Sequence, residues 1–482
     1  MALNKQQTVI VISWLKTGIV IIWLLGAILR FWRLGQFNTL VFDEVYYGVF
    51  ANNYLTGTTF FNAHPPLCQY IIAMGIWIGS HLPWGQDQVN SLTGSLLSTF
   101  SYRWSNALTG SLIPVVMMAI AWQLTHRRNY TLIVGLCAAL DGLFLVESRY
   151  ALSNIYLVIF GLLGQLYWLW ALNETNRPSW GKLTIAGIFL GASIGVKWNG
   201  LGFLLGIYLL WGLAWLLESL KSLTNLSSNP LIYPQTFFSK ITQINLGQLI
   251  CCLGLIPALT YSLIWIPHLQ MNPQYGFWDI HNRILSFHQQ VGGSDIHPYC
   301  SPWYSWIVMW RPIAYFYHTA SNTQEVVPTY PPLPAGTGKI IYDVHAMGNP
   351  ALWWLSTIAI MLLAGVLLWG VLQKNNTKWV IIGHNGAVWF MVVNYAANLL
   401  PWMKVSRCTF LYHYMSASVF AWLALAWILD GWLTSKQLGY QFLGAIAIIL
   451  IMVAFWFWLP IYLGLPLSPE GYQLRMLFPN WI

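Results

Sequence analysis

The feature that most constrains this chain is a series of apolar segments of about 20 residues that occupy most of its length. A segment of this length crosses roughly 30 Å of hydrocarbon as an α-helix, because in that medium the backbone must satisfy its own hydrogen bonds. Only 7% of the residues are charged, against roughly 25% in an average soluble domain. The sequence therefore predicts an all-α polytopic membrane protein.

Eleven apolar segments meet this length criterion. The predicted spans are 9–31, 105–125, 131–148, 152–172, 183–197, 199–217, 246–267, 351–373, 378–402, 408–432 and 440–463. No internal repeat or long linker divides the chain, so we treat residues 1–482 as one membrane domain. Within it, 33–104 forms a first loop, 268–350 a second loop and 351–482 a C-terminal four-helix part.

The positions of lysine and arginine predict the orientation. Short loops rich in these residues stay in the cytoplasm. With a cytoplasmic N-terminus, the basic stretches 126–128, 177–182 and 374–378 lie inside, and both long loops face outward. Further cations lie at the opposite span ends among aromatic residues, where an unpaired charge is costly and usually functional. We expect a multi-pass protein of the cell membrane whose chemistry lies on the extracytoplasmic face.

Composition argues against two other classes of function. The net charge of +9 would suit nucleic acid, but the basic residues are scattered and form no run beyond His126-Arg127-Arg128. The six cysteines lack the spacing of a metal site, so no metal is predicted. Cys68 and Cys300 fall in the two outer loops, where either a disulfide between them or two free thiols fits the pattern.

An acidic pair follows the first span in a chain that has only 13 acidic residues. Asp43 and Glu44 lie at the expected outer membrane surface, about twenty residues before His64-Pro65-Pro66. Consecutive side chains point in different directions, so one can face a substrate while the other braces the loop. The pattern also fits a solvated pair or a helix cap.

Cations from four separate stretches are predicted to reach the same outer level. They are Arg103, Arg149, Lys197 and Arg407. Such a set suits a phosphate or diphosphate at the headgroup layer. It is also compatible with side chains that each extend toward lipid headgroups independently. Asp141, inside the third span, is interpreted as a structural hydrogen-bonding or ion-pairing residue.

The second long loop carries a cluster of aromatic residues. Trp303, Trp306 and Trp310 recur at helical spacing, which favours a helix lying on the membrane surface. Aromatic rings beside polar groups also suit sugar or peptide binding, and both interpretations remain open.

Several motifs together resemble the protein O-mannosyltransferase family, in its compact bacterial form. They are FDEVYYG with AHPPL, RWSNALTG at 103–110, DGLFLVESRYAL at 141–152, IGVKWNGL at 194–201, HPYCSPWYSW at 297–306, GNPALWW at 348–354 and RCTFLYHYM at 407–415. They extend over most of the chain in the family's order. The resemblance implies a GT-C-type glycosyltransferase, to which the eleven spans counted from segment length are assigned.

The resemblance also implies a reaction and its base. Mannose moves from a polyprenyl-phosphate-mannose donor to a Ser or Thr hydroxyl of an exported polypeptide, by a single displacement with inversion. The resemblance makes Asp43 the expected base and Glu44 its support. Because of their predicted position at the outer face, Arg103, Arg149, Lys197 and Arg407 are expected to hold the donor phosphate. His64, Trp198, His297, Tyr299 and Trp303 are the expected substrate-binding residues. Neither a cofactor nor a divalent metal is implied.

Two positions depart from the family's pattern. Gln69 stands where the family commonly has lysine, and Asn154 stands where relatives often have aspartate. These departures leave a catalytically silent scaffold open. A related transferase with another sugar or a lipid acceptor also fits the motifs. A transporter or flippase is disfavoured, because the charges gather at span ends rather than at mid-membrane.

Overall fold

A computed structural model describes residues 5–174, 177–223, 235–293, 296–321, 328–329, 339–372 and 386–482. The chain is mainly helical. Its α-helices are α1 Lys5–Phe31, α2 Glu44–Thr56, α3 Leu67–Ser80, α4 Thr99–Thr125, α5 Arg128–Ala139, α6 Gly142–Arg149, α7 Asn154–Leu172, α8 Trp180–Val196, α9 Leu201–Leu223, α10 Gln235–Ile241, α11 Leu246–Ile250, α12 Ile256–Met271, α13 Phe277–Gln290, α14 Trp303–Trp306, α15 Pro350–Leu372, α16 Gly386–Leu399, α17 Met415–Leu433, α18 Leu438–Leu463 and α19 Pro469–Gln473. A π-helical turn, Cys251–Leu255, joins α11 to α12.

Two antiparallel hairpins lie between the helices in the ranges that the structure describes. The first pairs β1 Val89–Asn90 with β2 Leu97–Ser98. The second pairs β3 Ile313–Ala320 with β4 Ile340–Ala346, with one irregularity between Ala314 and Phe316. This second hairpin belongs to the second long loop, so that loop contains a small sheet as well as helices.

The prediction of an all-α membrane protein is confirmed, whereas the count of eleven spans is not. In the described residues, eight helices are long and apolar enough to cross a membrane, or nine if the bent pair α5–α6 is one span. Helices α3 and α8 are apolar but shorter. Residues 378–385 of the ninth predicted span lie outside the described residues.

Burial divides the helices into a central and a peripheral group. In α7, 78% of the most apolar window is buried inside the protein, whereas in α1 only 17% is buried. Helix α18 is also peripheral, and its exposed side chains include Leu443, Ile446 and Trp456. Such apolar faces suit contact with lipid rather than with water.

The break at Asp141 has a local cause. The axes of α5 and α6 differ by 55° there. The buried Asp141 carboxylate accepts a hydrogen bond from the Phe144 amide at 2.9 Å and so caps the N-terminus of α6. Asp141 thus has a structural role, as its position in the sequence suggested.

The aromatic segment of the second loop does not form the expected membrane-surface helix. Helix α14 is only four residues long, and Trp306 is fully buried with its indole N–H donated to Ser301. Such a side chain cannot lie on a membrane surface. The amphipathic helix of this loop is instead α13, which buries Ile280 and Ile284 and exposes 75% of Trp278.

The cysteine pairing also differs from the expectation. The disulfide joins Cys300 to Cys408, whereas Cys68 is a buried free thiol in α3. Cys408 is adjacent to Arg407 in sequence, so the crosslink connects the second long loop to the segment that carries Arg407, one of the expected phosphate-binding residues. Sequence order gives no indication of which distant cysteine lies opposite Cys300.

Candidate active site

The two adjacent acids have different environments. Glu44 begins α2 and is fully buried. Its Oε1 accepts from Arg103 Nε at 2.9 Å and from the Ala151 amide at 2.8 Å. Its Oε2 accepts from Arg103 Nη2 at 2.7 Å and from the Val41 amide at 2.8 Å. Both oxygens are thus occupied, so the geometry gives Glu44 a bracing role rather than a chemical one.

Arg103 has no donor left for a phosphate. Besides two bonds to Glu44, its guanidinium donates to the carbonyls of Leu34, Phe37 and Thr39 at 3.3, 2.9 and 2.8 Å. These interactions use all five N–H groups of an arginine. The prediction that Arg103 binds the donor phosphate therefore does not fit the structure, because the side chain ties α4 to the segment after α1.

Arg149 is used in a similar way. Its guanidinium donates to the carbonyls of Leu29, Arg30 and Trp32 at 3.1, 3.2 and 2.6 Å, and also to that of Arg33. These carbonyls lie in or just after the last turn of α1, where the helix leaves acceptors unpaired and favours a positive charge. Arg149 is 2% exposed. It caps the C-terminal end of α1 through Nη1 and Nη2, while its buried Nε has no partner in the described part of the chain. These contacts favour a structural role over phosphate binding, which stays a prediction for Arg149.

Asp43, in contrast, is available. It precedes α2 as its N-cap residue, yet its side chain makes no capping hydrogen bond. Over the described ranges no hydrogen bond or ion pair engages its carboxylate, which is partly exposed. Burial raises the pKa of Asp43 to about 6, and the Lys197 charge opposes that shift. At neutral pH the carboxylate is therefore mostly ionised and free to accept a proton.

Lys197 lies between α8 and α9 with its ammonium group almost buried. Nζ donates to Asn154 Oδ1 at 3.0 Å. It also lies 5.6 Å from the ring centroid of Tyr47 and 5.3 Å from that of Tyr412, within the range of cation–π attraction. Burial lowers the pKa of Lys197, whereas the carboxylates of Asp43 and Glu147 raise it.

A cavity of about 950 Å³ opens beside Lys197. One part of its wall is polar and is formed by His64, Lys197, His288, Lys404, Arg407 and His413. Another part is apolar and includes Leu201, Leu204, Leu205 and Tyr208 of α9. The cavity therefore offers cations and an apolar surface to one ligand, as an anionic lipid would require.

Contacts around the disulfide fix the position of Arg407 in this wall. Arg407 Nη1 donates to the Cys408 carbonyl at 3.0 Å. The neighbouring Ser301 amide donates to the Thr409 carbonyl at 2.8 Å, next to the Cys300–Cys408 crosslink. Burial lowers the pKa of Arg407, although arginine stays protonated at neutral pH. Arg407 and Lys197 are thus two cations on one cavity wall.

The expected substrate-binding residues separate into two groups. His64 and Trp198 line the cavity. Of the others, His297 packs edge-on against Phe410 at 5.4 Å, Tyr299 lies under Arg311 and Trp303 packs against the core. These three residues do not line the cavity.

Two cavity histidines were missed from the sequence. His413 falls within the motif at 407–415, so that motif could have revealed it. His288 lies in α13 and is brought to the cavity only by tertiary packing, 5.4 Å from the ring of His64. Burial and the charge of Arg407 lower the pKa of His288 to about 4. His288 is therefore neutral, and the fixed positive charge comes from lysine and arginine.

Among the residues described, no group of three or more His, Cys, Asp or Glu side chains could hold a metal ion. The expectation that the chemistry needs neither metal nor cofactor stays a prediction. The arrangement offers the free carboxylate of Asp43 and an amphiphilic cavity whose wall carries three cations, Lys197, Lys404 and Arg407.

Two family models together match nearly the whole chain. The family described as dolichyl-phosphate-mannose-protein mannosyltransferase matches residues 20–271, and the C-terminal four TMM region of protein-O-mannosyltransferase matches 273–481. The polyprenol-phosphate-mannose–protein mannosyltransferase of Corynebacterium glutamicum is 25% identical and aligns with 87% of this chain and 81% of that protein. Its counterpart in Mycolicibacterium smegmatis is 24% identical over the same shares.

Solved structures show the same fold. The Saccharomyces cerevisiae protein O-mannosyltransferase Pmt1–Pmt2 complex bound to the sugar donor matches with a TM-score of 0.76 at 15% identity, covering 97% of this chain and 92% of that one. ArnT from Cupriavidus metallidurans bound to undecaprenyl phosphate matches with a TM-score of 0.51 at 10% identity, covering 94% and 76%. The GT-C-type fold is thereby confirmed.

Proposed function

The chain belongs to the protein O-mannosyltransferase family, and we propose that it transfers mannose from a polyprenyl-phosphate-mannose donor to Ser or Thr hydroxyls of exported polypeptides. Its curated relatives are named for this donor and for a protein acceptor. The observation that carries the proposal is the unpaired Asp43 carboxylate beside Lys197, next to a cavity with polar and apolar walls.

The proposed reaction is one displacement at the anomeric carbon. The acceptor hydroxyl attacks that carbon while Asp43 takes its proton, because a neutral hydroxyl is a weak nucleophile. The bond from the anomeric carbon to the phosphate oxygen breaks, and the electron pair leaves with the polyprenyl phosphate. Attack opposite the leaving group inverts the configuration.

Lys197 and Arg407 stabilise the departing phosphate in this scheme. A phosphate is a good leaving group when fixed cations face its developing charge, so no acid catalyst is required. Both side chains line the cavity, and Lys197 also lies close enough to Asp43 to influence its titration. The apolar side of the cavity, formed by α9, suits the first isoprene units of the donor.

The disulfide supports an extracytoplasmic site. Disulfides persist in oxidising compartments and are rare in the cytosol. The Cys300–Cys408 bond lies at the same end of the helices as Asp43, Lys197 and Arg407. We therefore place this end outside the cell membrane and the N-terminus in the cytoplasm.

The test compares Asp43→Asn with Asp87→Asn, an exposed acid of the first loop. Both variants are purified in lipid nanodiscs and supplied with radiolabelled polyprenyl-phosphate-mannose and a Ser/Thr-rich peptide. Asp43→Asn should bind the donor but transfer about 10²- to 10⁴-fold more slowly, the usual contribution of a positioned base. Asp87→Asn should behave as wild type.

Rapid transfer by Asp43→Asn would remove the base from the proposal. Mannose appearing on lipid instead of peptide would replace the polypeptide acceptor with a lipid acceptor.

A further inference from the structure

Tyr315 contacts the segment that carries Asp43 and also the buried hydrogen-bonded residues that lead to Lys197. It belongs to β3 of the second loop and is 6% exposed. Its ring stacks on Phe42, the residue before Asp43, with centroids 4.0 Å apart and planes 7° from parallel. Its hydroxyl donates to the Glu147 carboxylate. One side chain thus reaches two different segments, through its ring and through its hydroxyl.

The stacking of Tyr315 on Phe42 affects the position of Asp43, the proposed base. Phe42 has φ of 51°, in the left-handed region that residues other than glycine rarely adopt. The Phe42 ring also meets the Tyr412 ring edge-on, with centroids 6.2 Å apart. These contacts hold Phe42 in its unusual conformation, and the direction of the chain at Phe42 determines where the Asp43 carboxylate points.

The hydrogen bond from the Tyr315 hydroxyl affects the position of Lys197 through Glu147 and Asn154. Both Glu147 oxygens accept from Asn154 Nδ2 at 3.2 Å, and Asn154 Oδ1 accepts from Lys197 Nζ at 3.0 Å. The amide presents its donor to the carboxylate and its acceptor to the ammonium, so the two charges fix its orientation. The chain Tyr315–Glu147–Asn154–Lys197 is continuous and buried.

We propose that Tyr315 is a positioning residue that links the Asp43 base to the Lys197 phosphate contact, its ring acting on the former and its hydroxyl on the latter. This inference rests on the proposed function. It assigns to the β3–β4 hairpin of the second loop a direct role in the geometry of the reaction, although neither strand contributes a side chain to the cavity wall.

The test separates the two contacts with two single substitutions. Tyr315→Phe keeps the ring and removes the hydroxyl, so KM for the donor should rise about tenfold while kcat changes less than about twofold. Phe42→Leu removes the stacked ring and leaves the hydroxyl bond, so kcat should fall about tenfold and the acid limb of the pH profile should shift, with KM unchanged. Tyr315→Leu should combine both defects.

Tyr317→Phe is the matched control, because Tyr317 lies on the same strand and is 52% exposed. It should match wild type in kcat and KM. Thermal unfolding in nanodiscs identifies any variant that does not fold. If Tyr315→Leu fails in this way, the two remaining single variants still decide the question.

The inference is overturned if Tyr315→Phe retains the wild-type KM, or if Tyr315→Phe and Phe42→Leu lose the same parameter. The proposed function fails by a different result, which is rapid transfer by Asp43→Asn. An inactive Asp43→Asn together with a wild-type KM in Tyr315→Phe would reject the inference alone.

Discussion

Two carboxylate–cation neighbours near the start of α2 differ in what surrounds them. Glu44 and Arg103 form a closed pair in which every oxygen and every guanidinium N–H is used by protein groups. Asp43 and Lys197 are near each other without a direct hydrogen bond, and Lys197 lines a cavity. Residue type therefore does not distinguish a structural carboxylate from a reactive one, whereas the hydrogen-bonding capacity that the protein leaves unused does.

The greatest loss of stability is expected when the Glu44–Arg103 pair is broken. Glu44→Gln leaves the Arg103 charge buried without its counterion, and removing one partner of a buried pair costs about 3–5 kcal/mol. The free energy of unfolding should fall by this amount, measured by denaturant titration in mixed micelles. Glu470→Gln, at an exposed position in α19, serves as a control for loss of an acid. An unchanged stability in Glu44→Gln would contradict the bracing role.

The next effect concerns the crosslink beside Arg407. The Cys300–Cys408 bond joins residues that are 108 positions apart, and loss of a native disulfide costs about 2–5 kcal/mol. Cys408→Ser should lower the unfolding temperature and weaken donor binding, because Arg407 loses its tether. Cys251→Ser, at an exposed free cysteine, should do neither. If Cys408→Ser bound the donor normally, the crosslink would not be needed to position Arg407.

A third substitution tests the neighbouring Asp43 and Lys197. Lys197→Met removes a cation from the cavity, and KM for the donor should rise about tenfold to a hundredfold, as expected for loss of a hydrogen bond from a charged group. The Lys197 charge lowers the pKa of Asp43, so its removal should move the acid limb of the rate profile above pH 6.

Lys404→Met provides a graded comparison, because Lys404 is an exposed residue of the same cavity wall. Its effect should be smaller and should decline with salt, since exposed charges are screened. A limb that stays in place or moves to lower pH in Lys197→Met would show that Lys197 does not act on the base.

The mildest of these substitutions gives Lys197 a direct anionic partner, as Arg103 already has in Glu44. Asn154→Asp puts a second carboxylate next to Glu147 and gives Lys197 an anionic partner that competes with the donor phosphate. KM for the donor should rise about threefold to tenfold, while kcat stays within about twofold. Asn173→Asp, at an exposed position beyond the end of α7, is the control. A lower KM in Asn154→Asp would contradict this account.

The sequence was sufficient for the class of fold because apolar length and the scarcity of charge restrict the backbone to membrane helices. It did not give the number of spans, because helices such as α3 and α8 are apolar yet shorter than a full crossing. It also gave no pairing for Cys300, since Cys408 is 108 residues away and approaches only through tertiary packing.

The sequence predicted which segments contribute to the candidate site, but not which of their side chains face the cavity and which stabilise the fold. Lys197, Arg407, His64 and Trp198 do meet at one cavity. Arg103 and Arg149 occupy equally suggestive positions, yet each donates most of its hydrogen bonds to backbone carbonyls at and after the end of α1. Backbone acceptors are invisible in a sequence, because any residue supplies one and only the fold decides which are left unpaired.

The assignment of Asp43 as the base is tested by the rate of mannosyl transfer under saturating donor, measured as a function of pH in wild type and in Asp43→Asn. With the pKa of Asp43 at about 6, the base is protonated below that pH, so the wild-type rate should fall as pH decreases through 6. The residual rate of Asp43→Asn should show no such limb. A limb near pH 6 that persists in Asp43→Asn would contradict the assignment of Asp43 as the base.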